Sequence, residues 1–192
     1  MIRRLYDWTL SLAETRYALW ALAAVAFMES SFFPIPPDLL MIPMILARPN
    51  RAFLIATVCL VASVLGGLLG YAIGALAYDT LGAPVLTALG KEAYFDQFTA
   101  RYNEWGIWVV LTAGVTPFPY KVITILSGAT ALNLPVFILT SIVARGLRFF
   151  IVAGLLWKFG PPIRDFIEKR LGLMFTLFII LLFGSFYLVR FL

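Results

Sequence analysis

Residues 29–38 read Glu-Ser-Ser-Phe-Phe-Pro-Ile-Pro-Pro-Asp, two carboxylates and three prolines inside a stretch that is otherwise apolar. No other run restricts the possible folds as much. A carboxylate at hydrocarbon depth costs roughly 3 kcal/mol on insertion scales unless it is paired, protonated or hydrated. Proline removes a backbone donor and breaks a helix. Irregular backbone at membrane depth persists only where protein buries it or where it lines a cavity. The surrounding chain is 62% hydrophobic and 13% charged, with mean hydropathy +0.94, about half the charged fraction of a soluble domain. The run therefore reads as a polar, broken site within an integral membrane protein, one domain over residues 1–192.

Several function classes fall away. There is no histidine and a single cysteine, Cys59, inside an apolar run. That excludes zinc and haem ligation, disulfides, and catalysis that needs His or a Cys pair. No metal, cofactor or enzymatic activity is expected. The net charge of +5 does not indicate nucleic acid, because the bases form no dense run and mostly flank apolar segments. They read as topology signals and headgroup contacts. Asp7 and Glu14 near the start argue against a cleavable signal peptide.

The patterning predicts an all-α integral membrane fold. Ile2, Leu5 and Leu12 recur at helical spacing opposite Arg3, Arg4, Asp7 and Glu14, an interfacial amphipathic helix over 1–16. Residues 17–47 carry two apolar arms around Pro34, Pro36 and Pro37. Each arm falls short of the ~20 residues of a spanning helix, so they read as a re-entrant hairpin with the prolines at its tip. Residues 52–78 form a span and complete the first repeat, 17–78. The stripe Gly66, Gly70 and Gly74 on that span lets another backbone approach closely. Residues 79–104, rich in acids and aromatics, read as a second interfacial helix. A second repeat follows over 105–158, with a second re-entrant hairpin around Pro117 and Pro119 and a span at 136–157. A basic loop over 158–170 and a last transmembrane helix over 172–192 close the chain.

The two proline clusters align at an offset of 83, placing Asp38 opposite Lys121. Gly70 and Gly154 align with one extra residue. Interrupted apolar segments at matching places in two halves point to a transporter site between inverted repeats. With the N-terminus in the cytoplasm, nine Lys and Arg residues gather on that side and Lys91 and Arg101 on the other, as the positive-inside rule requires. The hairpins then enter from opposite faces.

Five charges remain at depth: Glu29, Asp38, Lys121, Arg145 and Arg148. Arg145 and Arg148 are three apart and share a helix face. Lys121, Arg145 and Arg148 can hold a phosphate, arginine in bidentate fashion. Glu29 and Asp38 compete for those cations and can act as proton or gate residues. The rival reading is a structural ion-pair network that locks the hairpins.

These motifs carry a resemblance. Glu29 followed by Phe33-Pro34-Ile35-Pro36-Pro37-Asp38, Gly66-x-x-x-Gly70-Tyr71-x-x-Gly74, Thr116-Pro117-Phe118-Pro119-Tyr120-Lys121 with Gly128, and Arg145-Gly146-x-Arg148-Phe149 together resemble the DedA superfamily (SNARE-associated or VTT-domain proteins). Within it the chain resembles the shorter YqaA-like branch. The resemblance covers roughly 17–160. It implies two opposed hairpins and movement of phospholipid or polyprenyl-phosphate carriers between leaflets of the bacterial inner membrane, in some members with proton coupling. It maps the family's acids onto Glu29 and Asp38 and its basic residue after the second tip onto Lys121. The family also carries an arginine shortly before the second tip and a Pro-Gly-Asp first tip; here Gly114-Val115-Thr116 and Pro36-Pro37-Asp38 stand instead. Arg145 or Arg148 is the available substitute for that charge. The expected partners are a membrane lipid and protons. An ion-coupled transporter of a small solute, a carboxylate-only lipid enzyme and a non-catalytic assembly factor are the alternatives.

Overall fold

The structure, a computed structural model, describes residues 17–33, 36–116 and 118–189; from residue 163 onward only the backbone is described. The expected helix over 1–16, Pro34 and Pro117 lie outside the described residues. Every described element is a helix, with no strand.

Helix α1, Ala18–Ser31, is followed by α2, Asp38–Ala47. The interruption falls where the sequence dictates it: Pro36 and Pro37 offer no backbone donor, and a residue before proline is pushed out of the helical region. Asp38 sits in the first turn of α2, where the helix dipole favours a negative charge. At 14 and 10 residues these helices are about 21 and 15 Å long, short of the ~30 Å hydrocarbon core.

A 3-10 turn, Pro49–Arg51, leads into α3, Ala52–Ala77, whose 26 residues make about 39 Å. A π-helical turn, Tyr78–Gly82, and the short α4, Ala83–Leu89, extend the rod. It ends at Gly90, which adopts a left-handed conformation (φ 61°) while Lys91 N–H bonds the Leu86 carbonyl, a common helix stop.

Here the structure departs from the sequence reading. Residues 92–104 are not a separate interfacial helix. They continue without a break into the apolar arm as α5, Glu92–Val115. No proline lies between 92 and 115, and isolated glycines cost a helix only about 1 kcal/mol each. The next break, at Thr116–Pro119, precedes α6, Tyr120–Ala129. Asn133 then caps α7, accepting from Val136 N–H at 3.2 Å. Helix α7 runs over Leu134–Val189, so the expected basic loop at 158–170 is helical backbone. Arg164 and Glu168, and Asp165 and Lys169, are opposite charges four apart, a helix-supporting spacing, but they do not account for the passage of α7 through Pro161-Pro162.

Among the described residues, two segments are long and apolar enough to cross a bilayer, Pro49–Leu89 and Leu134–Gly160. They pack on each other, and each also holds two shorter helices. Helix α3 packs on α1 and α6; α7 packs on α5 and α2. One apolar core joins α1, α2, α3 and α7 around Leu22, Met41, Ile45, Cys59 and Phe149. A second gathers Tyr102, Val110, Tyr120, Ile123, Leu132 and Phe137. Outside them, Trp20, Val61, Leu65, Leu76, Trp108, Leu139 and Ile151 are all more than half exposed. So much bare apolar surface suits a lipid environment and no aqueous one.

Candidate functional site

The glycine stripe of α3 decides how close the broken helices come. A methyl group on Gly66 would collide with the Phe27 carbonyl of α1, and one on Gly74 with the Ile125 carbonyl of α6. Gly128 of α6 abuts the Tyr71 carbonyl of α3 in return. At Gly70 the obstacle would be the Thr124 hydroxyl, which bonds the Ser30 carbonyl at 2.9 Å. Backbone therefore meets backbone on both sides of α3. Gly154, aligned with Gly70 in the sequence, has nothing within 4 Å of its would-be methyl and has no comparable role.

This close packing brings the five charges to the junction of the two breaks. Arg145 is buried, 1% exposed. Its Nη2 donates to Glu29 Oε2 at 2.8 Å and its Nε to Ser63 Oγ at 2.7 Å. Ser63 shares a 2.7 Å hydrogen bond with Ser30, which donates to the same Glu29 oxygen at 3.1 Å. The result is a closed ring of four side chains. The Tyr120 and Phe149 rings lie 4.9 and 4.7 Å from the guanidinium carbon, within cation–π range. Tyr120 is itself fixed by a bond to Ser141 at 2.5 Å.

Arg148, one helical turn on, is bound differently. Its Nη2 donates to Asp38 at 2.5 Å, with the side chains 15% and 19% exposed. Its Nη1 donates to the Thr116 carbonyl at 2.6 Å. One guanidinium thus holds the first residue of α2 and the residue that ends α5, reaching both breaks. It lies against the Gly114-Val115-Thr116 stretch. Lys121, on the same face of α6 as Thr124, directs its ammonium to the Phe32 carbonyl at 3.4 Å. Among the described residues no carboxylate forms an ion pair with Lys121.

Both carbonyls contacted by cations belong to residues that cap a helix C-terminus. Such carbonyls lack intrahelical partners and carry the negative end of the helix dipole. Lys121 and Arg148 therefore have an electrostatic reason to be where they are in the absence of any ligand. Pro37 is buried and Pro36 and Pro119 are half-buried at the breaks. No three His, Cys, Asp or Glu side chains converge in metal-binding range among the described residues.

Several contributors were given no role in the sequence reading: Ser30, Ser63, Tyr120, Thr124, Ser141 and the Thr116 carbonyl. A signal existed for two of them. Ser63 lies three residues before Gly66, on the glycine face, and Thr124 lies three after Lys121.

Comparison with known proteins gives a consistent result. Residues 21–158 match the VTT domain. The chain is similar to an uncharacterized protein of Haemophilus influenzae, 38% identical over 168 residues that cover 85% of this chain and 87% of that protein. An uncharacterized homolog from Histophilus somni matches with the same identity and coverage. No solved structure matches significantly.

Proposed function

This chain belongs to the VTT-domain family, whose members are membrane proteins, and from that premise we propose that it moves an anionic lipid headgroup, phospholipid or polyprenyl phosphate, between leaflets of the bacterial inner membrane. The observation that carries the proposal is the charge left over at the junction. Three cations face two carboxylates, both carboxylates are paired, and the unpaired cation, Lys121, is only half-buried. One phosphate anion would neutralise the cluster, and a low-dielectric site favours that balance.

The roles divide by burial. Lys121 and Arg148 bind the phosphate, since both are partly open. Arg145 is enclosed and donates to Glu29 and Ser63, so its part is to hold Glu29 in place. Asp38 competes with the phosphate for Arg148, and its protonation would release that arginine, which is how proton coupling would enter. The reading includes two re-entrant hairpins as inverted repeats, with the N-terminus cytoplasmic. Reciprocal packing supports this, since α3 rests on α1 and α6, and α7 on α5 and α2, each on its own half's first arm and the other half's second. Placement in the YqaA-like branch rests on the motifs alone. The lipid is moved, not chemically altered.

The test is lipid movement between leaflets of reconstituted vesicles, using a fluorescent anionic phospholipid and a zwitterionic control. Wild type should move the anionic lipid. Lys121→Ala/Arg148→Ala should lose about tenfold or more, the ~1.4 kcal/mol of at least one charge-assisted contact. Equal rates in the two proteins would defeat the proposal. Uptake of a soluble anion without lipid movement would favour a solute transporter instead.

A further inference from the structure

The two cations assigned to the headgroup already have occupants, and those occupants hold the breaks in place. Arg148 spends one nitrogen on the Thr116 carbonyl at 2.6 Å and the other on Asp38 at 2.5 Å. Lys121 reaches the Phe32 carbonyl at 3.4 Å, long for such a bond. Both carbonyls cap helix C-termini, α5 and α1. A phosphate oxygen is a far stronger acceptor for a cation than a neutral carbonyl. Beyond these bonds Arg148 has three further N–H donors and Lys121 two, so a phosphate can approach while the carbonyls are still held and, as the stronger acceptor, draw the cations off them.

We infer that a phosphate group bound at Lys121 and Arg148 displaces these two helix-end carbonyls and so unlocks the two breaks from each other. The inference rests on the anion-binding reading above and adds to it that the ligand opens its own site. The geometry gives the reason. Arg148 bonds α2 and the end of α5 with one guanidinium, and Lys121 bonds α6 to the end of α1. Withdrawing both cations removes two ties between the breaks. Thr124 stays bound to the Ser30 carbonyl and Arg145 to Glu29 and Ser63, so α1, α3, α6 and α7 remain assembled. Opening is therefore read at Phe32, Phe33 and Thr116, the residues just past the ends of α1 and α5. Their amides bond the Met28, Met28 and Thr112 carbonyls.

Amide hydrogen exchange on the full chain in an uncharged detergent tests this. The additions are dihexanoyl phosphatidic acid, inorganic phosphate and dihexanoylglycerol. Phosphatidic acid should speed exchange at Phe32, Phe33 and Thr116 by about tenfold, and the uncharged glycerolipid should leave it unchanged. An equal response to inorganic phosphate would assign the trigger to the phosphate alone; a response confined to the lipid would show that its chains are needed. Arg148→Lys keeps the charge but offers one nitrogen, on a shorter reach, where Arg148 uses two. Its exchange at Thr116 should be raised before ligand is added, and the ligand should add little. Should that variant not fold, Lys121→Gln should raise exchange at Phe32 and Phe33 alone. Saturable phosphatidic acid binding with unchanged or slowed exchange at all three amides would overturn the latch. If lipid movement still depended on Lys121 and Arg148, the transport reading would survive that result. Absence of binding would remove both.

Discussion

Arg145 and Arg148 stand three residues apart on one helix, face the same junction and each pair with a carboxylate of the first broken segment. They nevertheless differ in kind. Arg145 donates from Nε and Nη2 into a closed ring with Glu29, Ser30 and Ser63, and two aromatic rings lie against it. Arg148 is partly open, and one of its bonds goes to a bare helix end. Chemical type and spacing cannot separate two such arginines; their surroundings do. A buried pair tied into a ring of side chains is suited to hold structure, and a part-exposed pair resting on replaceable acceptors is suited to bind.

Substitutions can break or sharpen this contrast. The largest effect is expected at the enclosed pair. Glu29→Ala or Arg145→Ala leaves one buried charge without its partner and should cost about 3–5 kcal/mol, read as a fall in the unfolding midpoint of the detergent-solubilised protein. The Glu29→Leu/Arg145→Leu double variant should cost less than either single change, because no lone charge remains. Equal losses from Arg145→Ala and Arg148→Ala would erase the contrast.

Next come the glycines that allow the close approach. Gly74→Ala drives a methyl into the Ile125 carbonyl and Gly66→Ala into that of Phe27. Each should cost about 1–3 kcal/mol of stability and lower lipid movement through the fold. Gly154→Ala, with open space around it, should leave both unchanged within ~0.5 kcal/mol.

Smaller still in stability are the open cations. Arg148→Ala should cost about 1 kcal/mol, as partly exposed pairs do, yet reduce lipid movement more than Gly74→Ala does. Lys121→Ala should change the unfolding midpoint least, by under ~0.5 kcal/mol, again with loss of movement. A Lys121→Ala protein with full transport would remove the surplus charge from the account.

Much of this was legible in the sequence. Both breaks fall at the proline clusters the sequence marked, although a proline pair alone does not decide it, since α7 runs on through Pro161-Pro162, and unbroken hydropathy marked α3 within a residue or so of its ends. The five charges at the junction were identifiable because each interrupts an otherwise apolar run. Which acid meets which arginine was not legible, because pairing depends on the rotation of α7 against α1 and α2, and that is set by packing far from the charges. Nor was the continuity of α5. Polar residues at 92–104 and apolar ones at 105–115 differ in environment but share a helical preference, and a change of hydropathy is not a change of backbone. The seam of small hydroxyls, Ser30, Ser63 and Thr124, escaped notice because each serine or threonine is unremarkable alone in an apolar helix. It acquires meaning only once Gly70 is seen to make room for the bond between Thr124 and Ser30.

The most direct test is an experimental structure in nanodiscs that contain an anionic phospholipid. The account predicts headgroup phosphate density within hydrogen-bond reach of Lys121 and Arg148, with Arg145 still closed on Glu29. Headgroups found only at the outer surfaces, with Lys121 and Arg148 still on their helix-end carbonyls at saturating lipid, would contradict it.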